Sequence, residues 1–249
     1  CATPLYSFAI QGAASTADAL DLDGVDDYAS CPVVSTASNN ITLQAKIYWR
    51  GSNGFHQFIM ANGGSGTRNA LMISVSGSLC AYSDAFGIIT STYAVPTNTW
   101  LAVSLVYKNN VGRLYVNGSV VHTFAYASLP VPSGTFMVGR SSSGEYFKGS
   151  IDEVLYWDRA LSQCEIQTYL NSEIATSSNS LAANYHFNQG SANLSNATTT
   201  LALDASGNNY HLTLTNLSLN GATSNWISPG AVTAGNTVTT PPTLTVSVS

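Results

Sequence analysis

The chain has little charge and lacks any long apolar run. Only 8% of its 249 residues are charged, with 8 Lys and Arg against 13 Asp and Glu and a formal net charge of −5. Ordinary soluble domains carry about 25% charged residues, so Ser, Thr, Asn, Gly and Tyr must cover most of this surface. The basic residues are scattered, which argues against a nucleic-acid partner. No segment approaches the ~18 consecutive apolar residues of a membrane span.

The motifs of common hydrolases are also missing. The sequence contains neither a Gly-x-Ser-x-Gly elbow nor a His-Glu-x-x-His helix. Glycoside hydrolysis needs two carboxyl groups about 5–10 Å apart across a cleft. The four glutamates are dispersed along the chain, at Glu145, Glu153, Glu165 and Glu173. Glu165 belongs to a helix cap and Glu173 lies in or near a linker, so we expect a protein that is not an enzyme.

Cysteine is sparse, and its spacing is informative. No two of the four cysteines are spaced as Cys-x-x-Cys, which argues against zinc. In a secreted protein one or two disulfides are the favoured state, with buried free thiols as the alternative. Four cysteines allow three pairings, and the sequence does not choose among them. The candidates are Cys1, Cys31, Cys80 and Cys164.

Short alternating segments make up most of the chain. Ile41–Trp49 alternates apolar and polar residues, as a half-buried strand does. Asn117-Gly118 is a hairpin signal, because both turn positions must accept positive φ. The capping box Ser162-Gln-Cys-Glu165 begins one short helix near 162–171. Short strands with turn signals about every 8–12 residues predict an all-β, two-sheet antiparallel sandwich.

Acidic residues concentrate at the ends of two predicted strands. One stretch covers residues 19–28 (ALDLDGVDDY) and the other residues 148–157 (KGSIDEVLYW). Carboxylates that lie close together repel one another unless a cation or several backbone N–H groups compensate. The residues concerned are Asp21, Asp23, Asp26, Asp27, Asp152 and Glu153.

Three motifs resemble those of a known family. "ALDLDGVDDY", "GRLYVNG" and "YFKGSIDEVLYWDRALSQCEI" are similar, in the same order, to motifs of concanavalin A-like, laminin G-like jelly-roll domains of bacterial (Bacteroidetes-type) secreted surface proteins. The resemblance covers residues 18–171 and implies a jelly-roll sandwich. Lectins, adhesins, enzyme appendages and structural modules share this fold, so the fold does not decide the function. The laminarinases among them carry a Glu-x-Asp-x-x-Glu strand that is absent here.

The C-terminal part of the chain allows more than one interpretation. Residues 181–227 resemble the opening of another such domain but are too few to close a second jelly roll. We expect their strands to add to the first sandwich, so that residues 1–228 form one domain; a separate small module is the alternative. Residues 229–249 form a Thr/Val/Ser-rich tail whose last strand needs an edge to pair with. The candidate assembly residues are Thr243, Leu244, Val246 and Val248.

The resemblance also implies a structural calcium ion between the first acidic strand and the last "GxIDE" strand. Carried over by motif, the ligands are Asp23 and Asp152, with Asp26 and the Gly24 carbonyl as further candidates. The alternative is that these aspartates cap turns by accepting backbone N–H bonds. A second candidate metal site combines Asp204 with Asn188, and there too the sequence can be interpreted as an Asx turn.

Aromatic and arginine side chains beside predicted loops are candidates for stacking on sugars: Tyr82, Tyr146, Arg140 and Arg68. The alternative is that they are strand residues with polar tips at the surface. We therefore expect a secreted or cell-surface protein, an adhesin or lectin-like module that meets glycans or surface polysaccharide. The competing hypothesis is a structural subunit of a surface filament or sheath, which polymerises with copies of itself through its C-terminal strand.

Overall fold

The computed structural model describes residues 18–36, 39–174 and 178–232, together with the backbone of residues 237–238. Cys1 and the four candidate assembly residues of the tail lie outside these ranges. The elements, in chain order, are β1 (Ala19–Asp23), β2 (Tyr28–Pro32), β3 (Ile41–Trp49), β4 (Gln57–Asn62), β5 (Asn69–Ile73), β6 (Ser78–Ser83), β7 (Gly87–Ala94), β8 (Trp100–Lys108), β9 (Val111–Val116), β10 (Ser119–Ala125), β11 (Thr135–Val138), β12 (Lys148–Trp157), α1 (Gln163–Thr168), β13 (Glu173–Ile174), β14 (Leu181–Tyr185), β15 (Leu201–Ala202), β16 (Leu212–Thr215), β17 (Trp226–Ile227) and β18 (Thr237–Val238).

The strands form two eight-stranded antiparallel sheets that pack face to face. The first sheet has the order β10-β9-β8-β3-β12-β1-β17, and β14 pairs with β12 beyond the end of β1. The second sheet has the order β15-β16-β2-β11-β4-β5-β6-β7. This arrangement, with one short helix among the described residues, confirms the predicted two-sheet sandwich. None of the described helical residues forms a helix long and apolar enough to cross a bilayer.

The main core lies between the two sheets, and alternation in the strands builds it. Leu43 and Ile47 of β3 point inward and are fully buried. From the second sheet Phe136 packs its ring between Tyr156 and Tyr185, at centroid distances of 5.9 and 6.1 Å. Each large apolar side chain so buried contributes about 1.5–3 kcal/mol, which explains why the alternating segments fold as predicted.

The hairpin turn and the helix cap that the sequence predicts are both present in the structure. Asn117 (φ 47°) and Gly118 (φ 75°) form the turn between β9 and β10. Ser162 caps α1, and the reciprocal bonds of a capping box with Glu165 are both present. The helix packs on the outer face of the first sheet, where Ile166 is buried. Both predictions were correct because they depend only on neighbouring residues.

The strands of residues 181–227 extend both sheets of the sandwich. β14 pairs with β12 and β17 with β1 in the first sheet, while β16 pairs with β2 in the second. Trp226 of β17 is fully buried, and a Cβ on Gly190 would lie 2.3 Å from its ring. This part of the chain therefore shares one core with the strands that precede it. β13 pairs in parallel with β18.

The three cysteines in the described part of the chain differ in their bonding state. Cys31 and Cys80 are free, buried thiols. Cys31 points into the main core, where its Sγ lies 3.7 Å from the Tyr185 hydroxyl. Cys80 points to the opposite face of the same sheet, where its thiol donates to Thr90 Oγ1 at 3.5 Å. The sheet separates the two side chains, so Cys31 and Cys80 do not pair with each other, whereas Cys164 is disulfide-bonded.

Candidate binding site at one end of the sandwich

An acidic loop, residues 23–27, joins β1 to β2 at one end of the sandwich. Asp23 Oδ1 accepts hydrogen bonds from the backbone N–H groups of Val25 (2.7 Å) and Asp26 (3.3 Å), which fixes a tight turn. Gly24 adopts φ +80°, and a Cβ at this position would lie 2.5 Å from the Cβ of Lys148. The loop therefore needs glycine here for its backbone conformation and for the close approach of β12.

The acidic loop brings three carboxylates together. Asp23, Asp26 and Asp27 each offer an oxygen, and these oxygens lie within 4.8 Å of one another. Asp27 is fully buried; its Oδ2 accepts the Asp23 N–H at 2.9 Å, while its Oδ1 has no hydrogen-bond partner. Burial raises the pKa of Asp27 to about 6, although a hydrogen bond from the Asp23 backbone opposes the rise. A buried, unpartnered oxygen beside two further carboxylates fits a hard cation such as calcium.

Asp152 does not belong to this loop. In the antiparallel pair of β1 and β12, Asp23 lies opposite Lys148, so Asp152 is four residues, or about 13 Å, further along β12. Asp152 is fully buried and accepts the N–H of Ala231 at 2.7 Å. Burial raises its pKa well above the ordinary value. The prediction that Asp23 and Asp152 share one ion is therefore wrong, because the register of the strands separates them.

The second predicted metal pair is also not assembled. The Asp204 carboxylate accepts four hydrogen bonds of 2.9–3.0 Å from nearby protein groups. The donors are Asn184 N, Ser206 N, Ser206 Oγ and Tyr210 N. Asn188 instead donates to Glu173 at 2.5 Å. The carboxylate of Asp204 therefore caps a turn, as the alternative interpretation of this segment had it.

Arginine and tyrosine side chains meet at the same end of the sandwich as the acidic loop. The guanidinium carbon of Arg140 lies 4.6 Å from the ring centre of Tyr28 and 5.2 Å from that of Tyr146. All three side chains are partly exposed, and Arg140 Nε has no hydrogen-bond partner. Together with Asn53 we call these residues the rim cluster.

Asn53 connects the rim cluster to the acidic loop. Its side-chain amide donates to the carbonyl of Gly24 at 3.0 Å and to the carbonyl of Tyr146 at 3.1 Å. Its Oδ1 accepts the N–H of Phe55, whose side chain is 65% exposed. The Gly24 carbonyl, a predicted calcium ligand, therefore already has a hydrogen-bond donor. The structure thus brings together the predicted residues Asp23, Gly24, Asp26, Arg140 and Tyr146.

Arg68 and Tyr82, the other two candidate sugar contacts, form a separate buried network. Arg68 donates to Asp84 through Nε at 3.3 Å and through NH2 at 3.1 Å, and Tyr82 donates to the same carboxylate at 2.6 Å. Burial raises the pKa of Asp84, but the bonds from Arg68 and Tyr82 outweigh it and lower that pKa to about 2. With their polar groups used in this way, Arg68 and Tyr82 stabilise the fold of the second sheet's outer face.

The sequence interpretation missed three residues of this site: Tyr28, Asn53 and Asp27 as a ligand. Tyr28 follows the acidic loop directly, so its position beside the carboxylates could have been inferred. Asn53 lies in the turn Gly51-Ser-Asn-Gly54, and no local signal shows that this turn reaches the acidic loop. Its role depends on contacts between segments that are distant in the chain.

The sequence profile of the concanavalin A-like lectin/glucanases superfamily, in its laminin G-like group, matches residues 23–167. The chain belongs to this family, and its jelly-roll sandwich is the one that the resemblance implied. No curated protein sequence matches it significantly.

Several solved structures have the same fold as this chain. A candidate carbohydrate-binding protein from Bacteroides ovatus has 20% identity and a TM-score of 0.62, over 86% of this chain and 62% of that one. A heptameric SAP-like pentraxin from Limulus polyphemus has 16% identity and a TM-score of 0.51, over 61% and 81% of the two chains. Domain 4 of an extracellular arabinanase from Geobacillus stearothermophilus, solved with arabinotriose, has 17% identity and a TM-score of 0.50, over 64% of this chain and 81% of that one. At these identities the likeness shows the fold; the chain spans about three fifths of the Bacteroides ovatus protein.

Proposed function

We propose that this chain is a non-catalytic carbohydrate-binding module of a secreted or cell-surface protein, and that the rim cluster binds the sugar. The observation that carries the proposal is the position of Arg140 over the rings of Tyr28 and Tyr146, with all three side chains partly exposed. Aromatic rings offer an apolar face with a polar tip, and a guanidinium held on such rings keeps donors for hydroxyl groups.

The acidic loop is proposed to hold calcium beside the rim cluster. Asp23, Asp26 and Asp27 supply the carboxylate oxygens that this ion prefers. When bound, the ion would neutralise the three carboxylates and hold the loop in one conformation. Because Asn53 donates to the Gly24 carbonyl in the middle of this loop, an ordered loop would also hold Asn53 and Tyr146 in place.

The positions of the glutamates support a non-catalytic role. Glu145 accepts a hydrogen bond from Ser141 at 2.9 Å, and Glu165 belongs to the helix cap. Glu153 and Glu173 are buried. Among the described residues these side chains do not form the pair of carboxyl groups across an open cleft that glycoside hydrolysis needs. The names of the Bacteroides ovatus and Geobacillus neighbours are consistent with a binding role.

A glycan array followed by calorimetry in calcium tests the proposal. Once a bound glycan is found, Tyr146→Ala and Arg140→Ala should each weaken its binding about tenfold, the equivalent of 1.4 kcal/mol. Arg113→Ala is the matched control, since Arg113 lies on β9 in the other sheet. Binding that is equal in all variants, or no binding of any glycan by the wild type, would overturn the proposal. Polymerisation through the tail stays a prediction that deletion of residues 237–249 would test.

A further inference from the structure

A second cluster of ionisable side chains lies on the outer face of the first sheet, away from the rim cluster. Glu153 of β12, Glu173 of β13 and His186, which follows β14, each offer a ligand atom, and these atoms lie within 4.8 Å of one another. We call these three residues the His–Glu cluster. His186 Nδ1 lies 2.9 Å from Glu153 Oε1.

A β-bulge in β12 creates the cluster. The register between β12 and β3 shifts between Asp152 and Leu155, and Glu153 adopts φ 49°, which is rare for a residue with a side chain. In a regular strand neighbouring side chains point to opposite faces, so one of two adjacent acids would enter the core. The bulge keeps Asp152 and Glu153 both out of the core, while Val154 enters it.

The carboxylates of the cluster are buried and only partly compensated. Glu153 is 2% exposed and Glu173 is 7% exposed. Lys46 lies opposite Asp152 on the neighbouring strand and its charge acts on Glu153 and Glu173 through space, but its Nζ has no hydrogen-bond partner within the described residues. Among the described residues, Glu153 forms its ion pair with His186 when the imidazole is protonated. A buried carboxylate without full compensation is costly, which favours the binding of a cation.

Two buried oxygen atoms beside the cluster lack a hydrogen-bond donor. They are Glu153 Oε2 and Asn184 Oδ1, in residues that are 2% and 0% exposed. The amide nitrogen of Asn184 donates to the Ile174 carbonyl at 3.1 Å and lies 3.2 Å from His186 Nε2. An unsatisfied buried acceptor is destabilising, and a metal ion removes this cost because it accepts lone pairs from several oxygens at once.

The cluster also has side chains that orient its members. Asn188 donates to Glu173 Oε1 at 2.5 Å, and Asn188 Oδ1 in turn accepts the backbone N–H of Asp18 at 3.0 Å. Asn184 lies against the imidazole of His186 on the side away from Glu153. The hydrogen bond from Asn188 to Glu173 is of the kind that orients metal-binding carboxylates in known sites.

We propose that Glu153, Glu173 and His186 bind a divalent transition-metal ion of the zinc type. The imidazole nitrogen decides the class of metal, because calcium takes oxygen ligands whereas zinc accepts nitrogen and carboxylate oxygen together. Zinc bonds to these atoms are about 2.0–2.2 Å long, so its ligand atoms lie about 3–4 Å apart, close to the spacing of the cluster. Cysteine spacing argues against a thiolate zinc site, and this site contains no thiol.

The site is independent of the proposed sugar site, which lies at the acidic loop and involves the second sheet. Lys46 provides an internal check, because its positive charge opposes a cation bound next to Glu153. Lys46→Met should therefore strengthen zinc binding, whereas His186→Ala should abolish it. His122→Ala is the matched control, since His122 lies on the edge strand β10.

The experiment is calorimetric titration of chelator-treated protein with Zn²⁺, with thermal melts of the same samples. One equivalent of zinc should bind and raise the melting temperature; His186→Ala and Glu173→Gln should lose both effects, and His122→Ala should keep them. If His186→Ala does not fold, the gain in affinity of Lys46→Met and a Co²⁺ spectrum without thiolate charge transfer test the same assignment. Absence of zinc binding by the wild type, unchanged binding by the Glu173→Gln variant, or displacement by equimolar Ca²⁺ would overturn it.

Discussion

The side-chain amide of Asn53 donates a 3.0 Å hydrogen bond to the carbonyl of Gly24. Because the same amide also donates to Tyr146, one side chain joins three segments that are distant in the sequence. Gly24 belongs to the loop that carries the candidate calcium ligands, and Tyr146 belongs to the rim cluster. The bond therefore gives a physical route by which order in the acidic loop affects the position of the aromatic rings.

Removing the donors of Asn53 should uncouple the acidic loop from the rim cluster. Asn53→Asp keeps the oxygen that accepts the Phe55 N–H but cannot donate to the two carbonyls. Each lost hydrogen bond costs about 0.5–1.5 kcal/mol, so unfolding in urea should show a loss of about 1–3 kcal/mol in the free energy of unfolding. Asn53→Gln, which keeps the donors on a longer stem, is the comparison. Equal stability of wild type and Asn53→Asp would show that these bonds do not hold the loops together.

Calcium should stabilise the chain through the acidic loop and not through Asp204. Thermal melting of chelator-treated protein is expected to shift upward on addition of Ca²⁺, because the ion binds the folded state. Asp26→Asn should reduce this shift, since Asp26 is exposed and contributes to stability mainly as a ligand. Asp204→Asn should lower the melting temperature itself but keep the calcium-dependent shift, because Asp204 already has four donors. A shift that disappears only in Asp204→Asn would place the ion in the other segment.

The parts of the fold that the sequence predicts are those that depend on near neighbours. Ile41–Trp49 alternates because one face packs in the core, and Asn117-Gly118 forms its turn because both residues tolerate positive φ. The capping box at Ser162 likewise needs only three following residues. These signals define strands, turns and the helix, and together they define the class of fold.

The register between distant strands could not be predicted in the same way. Asp23 and Asp152 each follow an apolar residue, but Asp23 ends β1 whereas Asp152 lies in the middle of β12, and the register of the two strands separates them. The sequence predicts that Glu173 lies in or near a linker, because nothing local shows that it forms a strand with β18. One signal was available: the adjacent acids Asp152 and Glu153 in an apolar strand are compatible with burial only if the strand contains a bulge.

The cap of α1 should contribute measurably to stability although the helix has only six residues. Ser162→Ala removes the side-chain acceptor of the Glu165 N–H, and the usual cost of such a change is about 1 kcal/mol. Ser162→Thr, which keeps a hydroxyl that accepts from the Glu165 N–H and donates to the Glu165 carboxylate, should recover most of the loss. Because Ile166 and Tyr169 pack on the first sheet, the effect should appear in global unfolding. Equal stability of both variants would mean that packing alone fixes the helix.

Acid should destabilise the chain through Asp84. Its pKa is about 2 in the folded protein, against about 3.9 for an unperturbed aspartate, so the folded state binds the proton more weakly than the unfolded state does. The resulting stabilisation, about 2 kcal/mol, is present above pH ~4 and is lost as the pH falls toward 2. The direction follows from the bonds that Arg68 and Tyr82 make to the ionised carboxylate.

Urea unfolding between pH 5 and pH 2 measures this loss, since the difference between wild type and Asp84→Asn isolates one carboxyl group from all others. The free energy of unfolding should fall more steeply with acid in the wild type, by about 2 kcal/mol over this range. Tyr82→Phe removes one of the donors to Asp84 and so raises its folded-state pKa, which should make the acid-induced loss smaller and complete at a higher pH. If wild type and Asp84→Asn lose stability in parallel, the Arg68–Asp84 pair does not depend on the charge of the carboxylate, and the buried network is held by packing instead.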